Sequence, residues 1–143
     1  RPPTAAEAKR IMNTLLSDTY KAFNVADENS AFDRLAQNVT DELVADVYLD
    51  SRRRLMAGTR KGAEVRVKDV SVMSVDEALR GAPIDGTFTY PCKWIVTAGI
   101  KHWQHIHSRQ NVYMGNLSIR VENERLKIAR LDLKSEERIV LSS

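Results

Sequence analysis

The chain has 143 residues, 43% hydrophobic and 29% charged, which favours one domain able to bury roughly 68–70% of its unfolded surface without disulfides or metals. Its 22 basic and 19 acidic side chains leave a net charge of +3; the dense basic stretch Arg52, Arg53, Arg54, Arg60 and Lys61 has no aromatic residue among it, so nucleic acid is not expected as a partner. One cysteine, Cys92, excludes an intramolecular disulfide, no run approaches the ~18 apolar residues needed to cross a bilayer, and no stretch reads as a signal peptide.

Arg1-Pro2-Pro3 reads as a linker remnant, with a single domain over residues 4–143. A membrane is expected only through a part of the chain not in this sequence. The domain itself is expected to be soluble, either as the extracytoplasmic part of an anchored protein or as a cytoplasmic domain. Thr4 and Glu7 form a T-x-x-E capping box. Ala8, Ile11, Met12, Leu15, Leu16, Tyr20 and Phe23 then recur at helical spacing and predict a helix from about Ala5 to about Phe23. Asp27 is the next candidate N-cap, ahead of a short helix marked by Phe32, Leu35, Ala36 and Val39. Thr40 is the candidate cap of a third helix, carrying Leu43, Val44, Val47, Tyr48, Leu55 and Met56 and ended by Gly58. The Arg52-Arg53-Arg54 run falls in its last turns, where cations complement the helix dipole.

After Gly62 the period changes from helix to strand. Val65, Val67, Val70, Val72 and Val75 form one strand with a phase break near Asp69 that predicts a bulge. Gly81-Ala82-Pro83 is a turn. From Ile84 through Phe88, Tyr90, Cys92, Trp94, Val96 and Ala98 one parity is apolar, while Thr87, Thr89, Lys93 and Thr97 make a wet face. Pro91 predicts an edge or bulge. Gly99 is expected to turn the chain into a third strand from about Lys101 to Val121. Glu122-Asn123-Glu124 then leads tightly to a fourth strand, Leu126 to Leu133. Short connections make the four strands antiparallel neighbours, so the fold class is α+β, with three N-terminal helices on one face of a curved sheet.

Three helices followed directly by four long antiparallel strands, from Thr4 to about Glu136, resemble the cystatin-like, nuclear-transport-factor-2-like (NTF2-like) superfold. The layout is closest to that of Tim44-like and VirB8-like domains, with the phrases Leu43 to Leu55 and Glu64 to Val75 carrying the likeness alongside the element order. The resemblance implies a cone-shaped pocket between sheet and helices and dimerisation through the sheet. It carries over no catalytic residue.

Every histidine lies in Lys101-His102-Trp103-Gln104-His105-Ile106-His107. On one continuous strand, Trp103, His105 and His107 share a face and His102 points to the other. His105 and His107 would then sit roughly 6–7 Å apart. The plain reading is structural, with ring nitrogens bonded to neighbouring strands. The second reading places both histidines in the pocket as acid–base or ligand groups. The third is a weak metal chelate, which lacks an evident third ligand. Tyr90, Cys92, Trp94, Trp103, His105, His107 and Tyr113 are the expected pocket lining, and Asp46 is the helical acid best placed to partner a histidine. Cys92 itself reads as a buried, inert thiol. Ile139-Val140-Leu141, after Glu136-Glu137-Arg138, would pack on the sheet or touch a partner. No cofactor is implied. The first functional reading is a non-enzymatic interaction or accessory domain of a larger protein, pairing with a protein partner or a second copy through the sheet. The alternative is an enzyme or small-ligand binder built on His105 and His107.

Overall fold

Thr4 and Glu7 close the capping box that starts α1 (Ala5–Lys21): Glu7 N donates to Thr4 Oγ1 at 3.2 Å and Thr4 N to Glu7 Oε1 at 2.9 Å. The computed structural model describes residues 2–80 and 85–141. Arg1 of the linker, the Gly81-Ala82-Pro83 turn and the Ile84 strand start lie outside them. The apolar stripe of α1 turns inward, with Ala8, Met12, Leu16 and Tyr20 buried, and a 3-10 turn, Ala22–Asn24, continues it. Asp27 caps α2 (Glu28–Ala36) by accepting from the Asn29 and Ser30 amides.

The third helix departs from expectation at its start. α3 runs Val44–Met56 with Leu43 at the N-cap position and no side-chain cap. Thr40 is not the cap, because its backbone is used elsewhere: Thr40 N donates to Ile128 O at 2.9 Å, beside a Val39–Ile128 bridge. Residues 41–43 form a turn before the helix begins. At the other end Gly58 takes the left-handed φ of 74° just past Ala57, as a helix-terminating glycine does.

Four strands follow in the order β1 (Glu64–Val75), β2 (Phe88–His102), β3 (His105–Glu122) and β4 (Arg125–Val140), each antiparallel to its neighbour, in a sheet not closed into a barrel. The phase break in the valines is a register shift between Val67 and Asp69, with a second between Val72 and Ser74. Pro91 sits in β2 just past the last β1 pair, Cys92–Val75, where its missing N–H interrupts no ladder bond; its carbonyl accepts from Asp76 N at 2.9 Å.

Gly99 does not turn the chain. β2 continues through it to His102, and the connection to β3 is Trp103-Gln104. The side chain of the bulged residue Lys68 of β1 lies across β2 at this glycine, its Cε 2.7 Å from where a Cβ would stand. β4 is also longer than the Leu126–Leu133 pattern suggests. Ile139 and Val140 pair with Gln110 and Arg109 of β3, yet Val140 stays 72% exposed.

The core lies between the helices and the inner face of the sheet. Trp94, Tyr113, Tyr90, Leu117 and Ile119 from the strands meet Met12, Leu16, Tyr20, Leu35 and Val39. Trp94 Nε1 donates to Tyr20 Oη at 3.2 Å, and Tyr20 stacks on Tyr113 with centroids 6.2 Å apart. Burial raises the hydroxyl pKa of both tyrosines, so both stay neutral. At the free edge of β1, Asn24 Nδ2 donates to Val67 O at 2.7 Å, Val67 N donates back to Asn24 Oδ1 at 2.8 Å, and Val72 N donates to Asn13 Oδ1 at 2.9 Å. These amides satisfy backbone groups that the shifted register leaves without a strand partner, and they blunt the edge. Asn24→Leu should therefore lower stability by about 1–3 kcal/mol, the cost of stranding two buried backbone groups, measured by urea unfolding; an unchanged midpoint would contradict this role.

Candidate functional site

The inner face of the sheet is where the resemblance implies a pocket. Tyr90, Trp94 and Tyr113 stand there, 0% exposed, and fill it as core. Tyr90 Oη donates to Pro3 O at 2.7 Å, closing one end with the start of the chain. Cys92 lies opposite Gly115 and is buried, and burial pushes its thiol up to about 12.

The remaining predicted residues gather at the far end of β2 and β3. Because Trp103-Gln104 is a hairpin turn, His102 and His105 face each other as a cross-strand pair and His107 pairs with Ile100. All three histidines therefore share the inner face, and His102 is not on the opposite one. Their ring centroids lie 5.0 Å (His102–His107) and 6.2 Å (His102–His105 and His105–His107) apart. Trp103 leaves the group: it occupies the turn with φ 55° and is 86% exposed. Asp46 is exposed in the first turn of α3 and partners no histidine.

The structural reading of the histidines required ring nitrogens bonded to neighbouring strands. Among the described residues no side-chain hydrogen bond from them is formed, and His102 Nδ1 is a buried nitrogen without a partner. Burial, His107, Arg60 and His105 together hold His102 below the ordinary histidine pKa. Also among the described residues, no group of three or more histidine, cysteine, aspartate or glutamate side chains is arranged to hold a metal ion.

Two residues that sequence reasoning passed over organise this end. Arg109 follows His107 on the inward parity of β3 and is 2% exposed. Its Nη1 donates to Ala57 O at 2.8 Å and its Nη2 to Leu55 O, the last carbonyls of α3. Burial and Arg138 push its pKa down, but a guanidinium keeps its charge in proteins, so a fixed cation sits at the negative end of the helix. Two positions on, Asn111 Nδ2 donates to Tyr113 Oη at 2.9 Å and to Glu136 Oε2 at 3.3 Å. Glu136 also accepts from Arg54 Nη1 at 2.9 Å. The signal for both was present: a charged and an amide side chain at inward positions between His107 and Tyr113.

The basic run of α3 is mostly spoken for. Arg53 and Arg54 reach Asp50 at 2.5 and 2.9 Å, and Arg52 Nη1 donates to Tyr48 Oη at 2.9 Å. Burial opposes ionisation of Asp50, but the hydrogen bonds from Arg54 and Arg53 outweigh it and hold the carboxyl below its usual range.

Two cavities lie beside the C-terminal part of α3. One, about 340 Å³, lies between Phe23, Tyr48, Arg52, Leu55 and Val65 and contains none of the predicted site residues. The other, about 280 Å³, is lined by Gly58, Arg60, His102, His107, Arg109 and Arg138, with other residues of the same end. Comparison with protein-family models, curated proteins and solved structures finds no match to this chain.

Two outcomes follow. The thiol of Cys92 should resist a disulfide reagent at pH 8 in the native protein and react at once in urea, since the thiolate is the nucleophile and burial suppresses it; prompt native labelling would refute the buried assignment. Exchanging His105 and His107 together for alanine should move the unfolding free energy by no more than about 0.5 kcal/mol, as for surface sites without partners. A loss of several kcal/mol in the same denaturation experiment would restore the structural reading.

Proposed function

We propose that this domain is a non-enzymatic interaction module of the nuclear-transport-factor-2-like type, which pairs with a second copy of itself through the open face of its sheet. The observation that carries the reading is the chemistry of that face. On the central strands, the outward positions between Thr89–Ser118 and Gly99–Ser108 are Thr89, Pro91, Lys93, Ile95, Thr97 and Gly99 on β2 and Ser108, Gln110, Val112, Met114, Asn116 and Ser118 on β3. Lys93 is the one charged side chain among them, in a chain that is 29% charged. Protein interfaces deplete charge at their centre and keep it at the rim. Here Ile95 and Val112 pair at the centre, Met114 is 51% exposed beside them, and Asp69 of β1 and Glu137 of β4 flank the patch.

The order of elements and the helices gathered on one side of an open sheet support the family reading. Tyr90, Trp94 and Tyr113, which fill the inner face of the central strands, support an interaction role over an enzyme built on those positions, and the 340 Å³ cavity beside α3 holds none of the candidate residues. Among the described residues no helix is long and apolar enough to cross a membrane, so any membrane association would come from a surface or from another segment.

Sedimentation velocity over a concentration series tests the proposal. The wild type should shift towards a dimer as concentration rises, and Ile95→Lys with Val112→Glu should stay monomeric with an unchanged circular dichroism spectrum. A wild type that remains monomeric up to millimolar concentration would overturn it.

A further inference from the structure

The 280 Å³ cavity at the end of α3 has a composition that the sheet-face reading does not use. Arg60, Arg109 and Arg138 line it together with His102 and His107, and no carboxylate does. We propose that it is an oxyanion site that takes the phosphate group of a phosphomonoester. This proposal stands apart from the interaction reading and would survive its failure.

Several cations elsewhere in the molecule are paired, and among the described residues those at this site are not. Arg53 and Arg54 are neutralised by Asp50 and Glu136, Arg120 by Glu42 and Glu122, and Lys127 by Glu122. Among the described residues Arg60 and Arg138 form no ion pair. Glu136 is the carboxylate whose charge is felt at Arg109, and it is engaged by Arg54 and Asn111. Arg109 has spent both terminal nitrogens on the α3 carbonyls, and its Nε, like His102 Nδ1, is buried without a partner. The unpaired buried N–H of Arg109 and the gathering of cations are both unfavourable on their own. A dianion in the cavity offsets both through its field.

The geometry suits a phosphate rather than a point charge. Guanidinium groups present planar forks that match phosphate oxygens two at a time. One of them lies against the turn after α3: Arg138 Nη1 is 2.9 Å from where a Cβ on Gly58 would stand. A wider recess of about 600 Å³ shares Arg60, His102 and His107 and opens past His105 and Gln104 to Trp103. Trp103 is 86% exposed and held at a left-handed φ, a conformation rare for a bulky residue. It forms an apolar wall where the organic part of the phosphomonoester would lie.

Protonation links the site to pH. Arg60, Arg109 and Arg138 are charged throughout, and Glu136 is tied to Arg54. His102 lines the cavity beside them. The surrounding cations and burial disfavour the proton on His102 in the free protein; a bound anion favours it. Affinity should therefore rise as pH falls from 8 to 6.

Isothermal titration with inorganic phosphate, and with phosphatidylcholine vesicles that contain or lack phosphatidic acid, tests the site and distinguishes a soluble ligand from a lipid headgroup. We expect one phosphate per chain, or binding to the phosphatidic acid vesicles alone, weakened about tenfold by Arg60→Gln and again by Arg138→Gln, given what a charge-assisted hydrogen bond contributes. Both arginines are exposed, so the variants should fold, and a circular dichroism spectrum checks that they do. Sulfate, whose charge is constant between pH 6 and 8, isolates His102: its binding should tighten severalfold towards pH 6, and His102→Gln should flatten that dependence. Absence of binding to both probes, or binding that ignores the arginine substitutions, would overturn the proposal.

Discussion

Arg109 lies on the inner face of β3 and donates to the Leu55 and Ala57 carbonyls at the end of α3, and this contact ties the end of the third helix to the sheet. A buried guanidinium is costly unless its hydrogen bonds are made. The last carbonyls of a helix need donors from outside it. Each requirement meets the other, so α3 is fixed in position along β3. Its other ties follow that placement: Arg54 of α3 reaches Glu136 of β4, and Glu136 accepts from Asn111, which is bonded to the buried Tyr113 hydroxyl. The same arginine places a permanent positive charge at the end of the sheet where Arg60, Arg138 and the histidines collect.

The division of labour across the domain follows from that arrangement. With α3 held down, the interior is occupied by Trp94, Tyr113 and Tyr20, whose polar atoms are paired with one another and with Asn111. Such a network is costly to open and leaves little room for a ligand over the centre of the sheet. Chemistry available to partners is pushed to the surfaces the core does not use. These are the open sheet face around Ile95 and Val112 and the hairpin end around Arg60 and Arg138.

Local signals in the sequence carried much of this. The capping box of α1 and the Asp27 cap each depend on residues within one turn, and each forms as the pattern indicates. The break in the valine run could be read because a bulge changes side-chain parity, which sequence displays directly. The misreadings concern residues whose role is set at a distance. Thr40 looks like a cap but gives its amide to Ile128 of β4. Gly99 looks like a turn but lies inside β2, paired with Ser108 of β3. Assigning the turn to Gly99 rather than to Trp103-Gln104 put His102 on the wrong face, since a hairpin brings residues on either side of its turn together. Arg109 was visible as a charge on an inward parity, but its partners are carbonyls of a helix more than fifty residues earlier, which no local pattern encodes.

Hydrogen exchange of the backbone amides in the wild type and in Arg109→Met tests the dependence on Arg109 most directly. Loss of the guanidinium should speed exchange in the last turns of α3, from Ser51 to Met56, while the amides of Trp94, Val96 and Tyr113 in the sheet keep their protection. Unchanged protection in α3, or an equal loss across helix and sheet alike, would contradict the view that this one side chain ties α3 to the sheet.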